Sequence, residues 1–267
     1  MRIPQRIHQF EDLGSRVVSA LVLAFVGLTA VRVGGVVFAA VVSVAAAAMA
    51  WEAGRMHWPG SGPFPPAVVA LLPATGLFLL LLLDDPLIGL LVVVAGTAVC
   101  VGRPSLRIML PVLAVILTGF FGLAGLRSGH GVTPAFFLVF AVIAADVGGY
   151  AAGRLFGGPK FWVQVSPNKT WAGMLGGWVL AGCLGAGFWL AGYTTVLAIP
   201  SALLFAIVAQ AGDLAESAVK RRAGVKDGSW LIPGHGGFID RFDGLVFAGC
   251  LVLVLDRAGM AVIPGFG

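Results

Sequence analysis

Charge is scarce in this sequence. Only 11% of its 267 residues are Asp, Glu, Lys or Arg, against about 25% in a soluble domain. That excludes an ordinary water-soluble globule. With 59% hydrophobic residues and a mean hydropathy of +0.99, the chain reads as a polytopic membrane protein. Cysteine is also scarce. Cys100, Cys183 and Cys250 are far apart, each in an apolar run, with no Cys-x-x-Cys or Cys/His metal pattern. They read as small buried hydrophobes. No RNA- or DNA-binding motif is present, so the net charge of +5 is assigned to basic loops of a membrane protein and not to a nucleic-acid partner. Arg2 and Arg6 precede an apolar run from Val17 to Val31, but no clear cleavage site follows and further spans do, which argues against a signal peptide. No convincing internal repeat is found.

What is there is apolar runs. A span needs about 20 residues, and nine are expected, at roughly 15–32, 35–51, 66–83, 86–102, 107–126, 133–152, 170–192, 195–216 and 243–263. The expected fold is all-α, a single transmembrane domain of 1–267, with scaffold spans in 1–132 and catalytic spans in 133–267. Placing the N-terminus inside puts fourteen of the seventeen Lys and Arg on the cytoplasmic side; only Arg32, Arg127 and Arg257 fall outside. Trp51 to Pro66 reads as a loop, with Trp51 and Trp58 as interfacial anchors and His57 as an exposed loop residue. Asp84-Asp85-Pro86 and His130 read as outside turns. Ala- and Gly-rich spans favour close helix packing.

The scarce charge is concentrated. Residues 212–244 hold five of the twelve acidic residues, Asp213, Glu216, Asp227, Asp240 and Asp243, interleaved with Lys220, Arg221, Arg222, Lys226 and Arg241. A polar cluster between membrane spans is costly, and function is its default reading; a solvated loop between helices is the alternative. Asp213 and Glu216 are three apart and share a helix face, which Ser217 and Lys220 continue; Asp240 and Asp243 repeat that spacing. Grouped carboxylates need a compensating cation, and oxygen-only ligands suit a hard ion such as Mg²⁺. The bases suit a polyanion, and Gly234, Gly236 and Gly237 let backbone approach phosphate.

Two more features lie upstream. Asp146 stands in an otherwise apolar run and should face the protein interior or a wet cavity; a structural role, pairing with Arg154 or capping a broken helix, fits as well. In Val165-Ser166-Pro167-Asn168-Lys169-Thr170, Pro167 and Thr170 suit a helix start, where Lys169 and free amides would form an anion site.

Ser217-x-x-Lys220-Arg221, Lys226-Asp227 and Pro233-Gly-His-Gly-Gly-Phe-Ile-Asp-Arg-Phe-Asp243 together resemble the signature of phosphatidate cytidylyltransferases, the CDP-diacylglycerol synthases. Members also carry Asp-x-x-(Ala/Gly)-Tyr-x-x-Gly-(Arg/Lys), here Asp146 to Arg154, then Ser-Pro-x-Lys-Thr, here Ser166 to Thr170. They often have Glu or Gln where this chain has Ala172. The resemblance covers 140–250; the first half is similar only as a hydrophobic scaffold. It implies a multi-pass enzyme of the cell membrane whose active site faces the cytoplasm. That enzyme would join CTP to phosphatidic acid with Mg²⁺ and possibly a second cation, and a homodimer is suggested. It further implies Asp213, Asp240 and Asp243 as metal ligands, and these with Lys220 as the catalytic set. Lys169, Lys220, Arg221 and Lys226 would hold phosphates, with Arg241 helping. Ser166, Thr170 and Ser217 would contact substrate, and Asp146 and Tyr150 would line the cytidine or lipid pocket. His235 would contact phosphate or serve as a turn residue. A CTP-dependent lipid kinase and an ion transporter are the rivals; a CDP-alcohol phosphotransferase is disfavoured because its DGxxAR…GxxxDxxxD pattern is missing.

Overall fold

The structure is a computed structural model and describes residues 6–58, 64–83, 106–225, 228–229, 231–232 and 236–263. Its eight described helices follow the apolar runs: α1 (Arg6–Val33), α2 (Gly35–His57), α3 (Phe64–Leu83), α4 (Leu106–Gly129), α5 (Val132–Phe156), α6 (Trp171–Leu190), α7 (Ala198–Arg222) and α8 (Ile239–Arg257). Five of them, α2 and α4 to α7, are long and apolar enough to cross a membrane. The chain is therefore a helical membrane protein. The span expected at 86–102 and the Asp84-Asp85 turn lie outside the described residues, as do Lys226, Asp227 and His235.

Two local expectations are corrected. Residues 51–57 are the end of α2 and not a loop, because the Ala-rich run continues in helix to His57. His57 lies inside that last turn, half-buried, its Nδ1 bonded to the Ala53 carbonyl at 2.9 Å. Trp58 packs into the core at 7% exposure instead of standing as an interfacial anchor. Trp51 lies under the Arg55 guanidinium, 4.8 Å from ring centre. The second correction is a short antiparallel hairpin between α5 and α6, β1 (Lys160–Trp162) with β2 (Ser166–Thr170), a departure from an all-α chain. Pro167 and Lys169 lie in β2, so α6 starts later than Pro167 suggested. Thr170 is its N-cap, its hydroxyl accepting the Gly173 N–H at 3.2 Å.

Small residues set the packing. A Cβ on Gly119, Gly122 or Gly249 would fall within 3 Å of facing backbone, so α4 and α8 cross almost in contact. Gly148, Gly173 and Gly176 play the same part between α5 and α6. Between them Phe137 stacks edge-on against Phe188 at 5.1 Å in the core. The end of α4 ties to the end of α1: Arg127 Nε donates to the Val31 carbonyl at 2.5 Å and a terminal nitrogen to Arg32 at 3.3 Å. These bonds satisfy carbonyls that the end of a helix leaves open.

Candidate active site

The site forms where the end of α7 meets the start of α8. Gly212 makes the approach possible: a Cβ there would lie 2.9 Å from the Asp243 carbonyl and from the Phe247 ring. The next residue, Asp213, is thereby brought beside Asp243. Glu216, one turn along α7, completes a trio in which one oxygen from each carboxylate lies within 4.8 Å of the others. Glu216 is 8% exposed, and its Oε1 has no hydrogen-bond partner among the described residues. Asp243 also accepts its neighbour's amide, Gly244, at 2.7 Å.

Two lysines flank the trio. Lys169, from the end of β2, pairs with Asp213 at 2.5 Å. Lys220 pairs with Glu216 at 2.8 Å across one helical turn and also bonds Asp240. Asp240 is thus in a different position from the trio. Its Oδ1 takes Lys220, and its Oδ2 accepts Gly237 at 2.9 Å and Gly228 at 3.2 Å. The expected ligand set was Asp213, Asp240 and Asp243. The structure brings Glu216 to Asp213 and Asp243, and engages both oxygens of Asp240 with protein donors.

The other expected residues spread around this centre. Asp146, exposed on α5, lies in the electrostatic field of Asp213, Lys169 and Arg241. It does not pair with Arg154, which donates instead to the Tyr150 hydroxyl at 2.8 Å. Tyr150 is exposed. Ser217 and Thr170 are buried and Ser166 half-buried. Arg221 is exposed and donates to the Val225 carbonyl at 3.4 Å, and Arg241 is exposed on the first turn of α8.

An apolar cavity of about 220 Å³ abuts Glu216 and Asp243. Met49, Met56, Val112, Ile116 and Val246 line it, and Glu216 and Asp243 form its polar edge. Chemically, the arrangement offers hard oxygen ligands, two fixed cations and an apolar slot within one site. Three clustered carboxylates with a buried orphan oxygen fit a hard divalent cation.

One residue escaped the sequence reading. Glu52, from α2, is fully buried and accepts from Ser229, Phe238 and Ile239 at the edge of the glycine-rich loop. Its signal was present: it is the one acidic residue of a long apolar helix.

Comparison with known proteins gives a consistent picture. A family model described as the cytidylyltransferase family matches residues 14–257. A phosphatidate cytidylyltransferase of Brucella suis is 36% identical over 260 residues, spanning 90% of this chain and 92% of that protein. One from Helicobacter pylori strain J99 is 40% identical over 139 residues, 51% and 52% of the two chains. One from Mycobacterium tuberculosis is 42% identical over 113 residues, 42% of this chain and 34% of its own.

Proposed function

Since the chain belongs to the cytidylyltransferase family, we propose that it is a phosphatidate cytidylyltransferase: it converts CTP and phosphatidic acid to CDP-diacylglycerol and pyrophosphate. The observation that carries this reading is the carboxylate trio, flanked by Lys169 and Lys220 and bordered by an apolar cavity. One polar centre thus stands ready for phosphates, with a wall suited to a lipid chain.

In the reaction, a phosphate oxygen of phosphatidate attacks the α-phosphorus of CTP. The new P–O bond forms as the bond to the β-phosphate oxygen breaks, and pyrophosphate leaves with that electron pair. The nucleophile is already ionised at neutral pH, so no general base is required, and catalysis rests on positioning and charge neutralisation. Lys169 and Lys220 hold phosphate oxygens while their carboxylate partners fix them in place. The exposed Arg221 and Arg241 add positive charge at the rim, Lys226 belongs to the same signature, and Ser166, Thr170, Ser217 and His235 lie in these motifs. Asp146 and Tyr150, both exposed on α5, would contact the nucleoside or lipid. Asp213, Glu216 and Asp243 are the residues that would hold Mg²⁺, which when bound would offset the charge gathering on the phosphates. Asp240 keeps Lys220 and the glycine-rich turn in register.

The reading includes nine spans, a cytoplasmic N-terminus and a cytoplasmic active site in the cell membrane. Two observations support that orientation. Arg32 and Arg127, both expected outside, sit together at one end of the bundle. Glu52, near the other end of α2, meets the signature loop, and a helix of 23 residues is about 35 Å long. A homodimer in the bilayer is part of the proposal on family grounds alone.

The test is product identity. Purified protein given CTP labelled at the α-phosphate, phosphatidate and Mg²⁺ should yield labelled lipid and one pyrophosphate per lipid. Release of labelled CDP with a phosphorylated lipid would mark a kinase, and ion flux without CTP turnover a transporter.

A further inference from the structure

Glu52 has no part in the chemistry above. It lies at 0% exposure, where a carboxylate is costly unless every oxygen finds a donor. Its Oε1 accepts the Ser229 hydroxyl and the Phe238 N–H, the latter at 2.9 Å, and Oε2 accepts the Ile239 N–H at 2.9 Å. These donors explain why α8 can start where it does. Its N-cap residue is Phe238, which has no side-chain acceptor, so the first amides of α8 would otherwise be orphaned. Glu52 supplies the cap from a different helix, with its negative charge at the positive end of the α8 dipole. A Cβ on Gly237 would meet this carboxylate at 2.6–2.8 Å, so the chain closes over it only through glycine. The turn held in this way carries Asp240, and Asp243 follows one turn later.

We infer that Glu52 is a positioning residue for the reaction. It fixes the first turn of α8 and the segment at Ser229, and so sets Asp240 and Asp243 against Lys220, Asp213 and Glu216. Its kinetic consequence rests on the proposed function; its structural consequence rests on the hydrogen bonds alone.

The experiment compares the full chain with Glu52→Gln, Glu52→Asp, Ser229→Ala and the Glu52→Gln/Ser229→Ala double variant, purified in detergent and assayed well below each melting midpoint. Gln keeps the volume but replaces one acceptor oxygen with a donor. Glu52→Gln should lower kcat roughly 10–100-fold, the scale of a misplacement of about 1 Å. It should also raise the Mg²⁺ concentration for half-maximal rate while KM for CTP stays within about threefold. Hydrogen exchange at the Phe238 and Ile239 amides should accelerate by about tenfold or more. Glu52→Asp, which keeps the charge on a shorter arm, should recover part of kcat. Ser229→Ala should lower kcat several-fold, and less than multiplicatively in the double variant, because the two groups share one network.

A Glu52→Gln protein with a lower melting midpoint but native kcat and native Mg²⁺ dependence would overturn the inference, as would unchanged exchange at both amides. Should Glu52→Gln fail to fold, Ser229→Ala decides, and native kcat there would contradict the proposal. Should the wild-type chain form no CDP-diacylglycerol, the proposed function fails, while amide exchange still decides the role of Glu52.

Discussion

At the scale of single residues, the site is a balance of charges that are few and mutually committed. Lys169 reaches Asp213 from β2, so Lys169→Ala removes the partner of a carboxylate and, on the proposed function, a phosphate contact. It should lower kcat/KM for CTP by about 10–100-fold, the scale of a charge-assisted contact of about 1.5–3 kcal/mol. Steady-state kinetics at varied CTP check this, and native values in a folded variant would remove Lys169 from the site. Asp240→Asn weakens the hold on Lys220 and on two loop amides and should cost roughly 10²-fold in kcat. The charged signature was legible because charge is so rare in this chain that five acids in one stretch stand out. The pairing within it was not. Spacing put Asp213 with Glu216 and Asp240 with Asp243 on shared faces, but only the approach of α7 to α8 at Gly212 brings Asp243, and not Asp240, into one group with Asp213 and Glu216. Glu52 was harder still, since its partners lie 177 to 187 residues along the chain.

At the scale of elements, hydropathy located all eight described helices to within a few residues at most ends, because each carries a long run of apolar side chains. It fell short at the polar ends. The N-terminal extension of α1 to Arg6 and the last turn of α2 are helical despite their charge. The hairpin was missed because strands of three and five residues carry too little periodicity to register. Glycine packing was legible only as a tendency; which glycines face which helix needs three dimensions. Two substitutions probe it. Gly249→Leu would force the α4–α8 crossing apart and should cost about 1–3 kcal/mol of overpacking strain, read as a lower melting midpoint in detergent. Gly212→Ala is smaller, yet it pushes Asp213 away from Asp243. It should lower kcat by roughly 10-fold or more while the protein stays folded, and native activity would show that the approach at Gly212 is not needed.

At the scale of the molecule, a mostly apolar bundle presents one polar centre near the end where α2, β2, α7 and α8 converge. The general class, a helical membrane enzyme of this family, was legible from composition and motif. Its sidedness was read from basic residues alone, and it is testable by labelling. In a background lacking Cys100, Cys183 and Cys250, single cysteines at Asn168 and Ser229 should react only from the cytoplasmic face, and one at Ser128 only from outside. Labelling of Asn168 and Ser229 from outside would invert the topology. The central claim is that Asp213, Glu216 and Asp243 form the cation-dependent centre of cytidylyl transfer, and the most direct measurement is a Mg²⁺ titration of CDP-diacylglycerol formation. It compares the wild-type chain with purified Asp213→Asn, Glu216→Gln and Asp243→Asn. Each variant keeps its size but loses a charge, and should insert and fold, since removing one carboxylate relieves repulsion among the rest. The account predicts a fall in kcat of roughly 10²-fold, about 3 kcal/mol of transition-state stabilisation, with half-maximal activity shifted to higher Mg²⁺. Near-native rates with unchanged Mg²⁺ dependence in all three would contradict it.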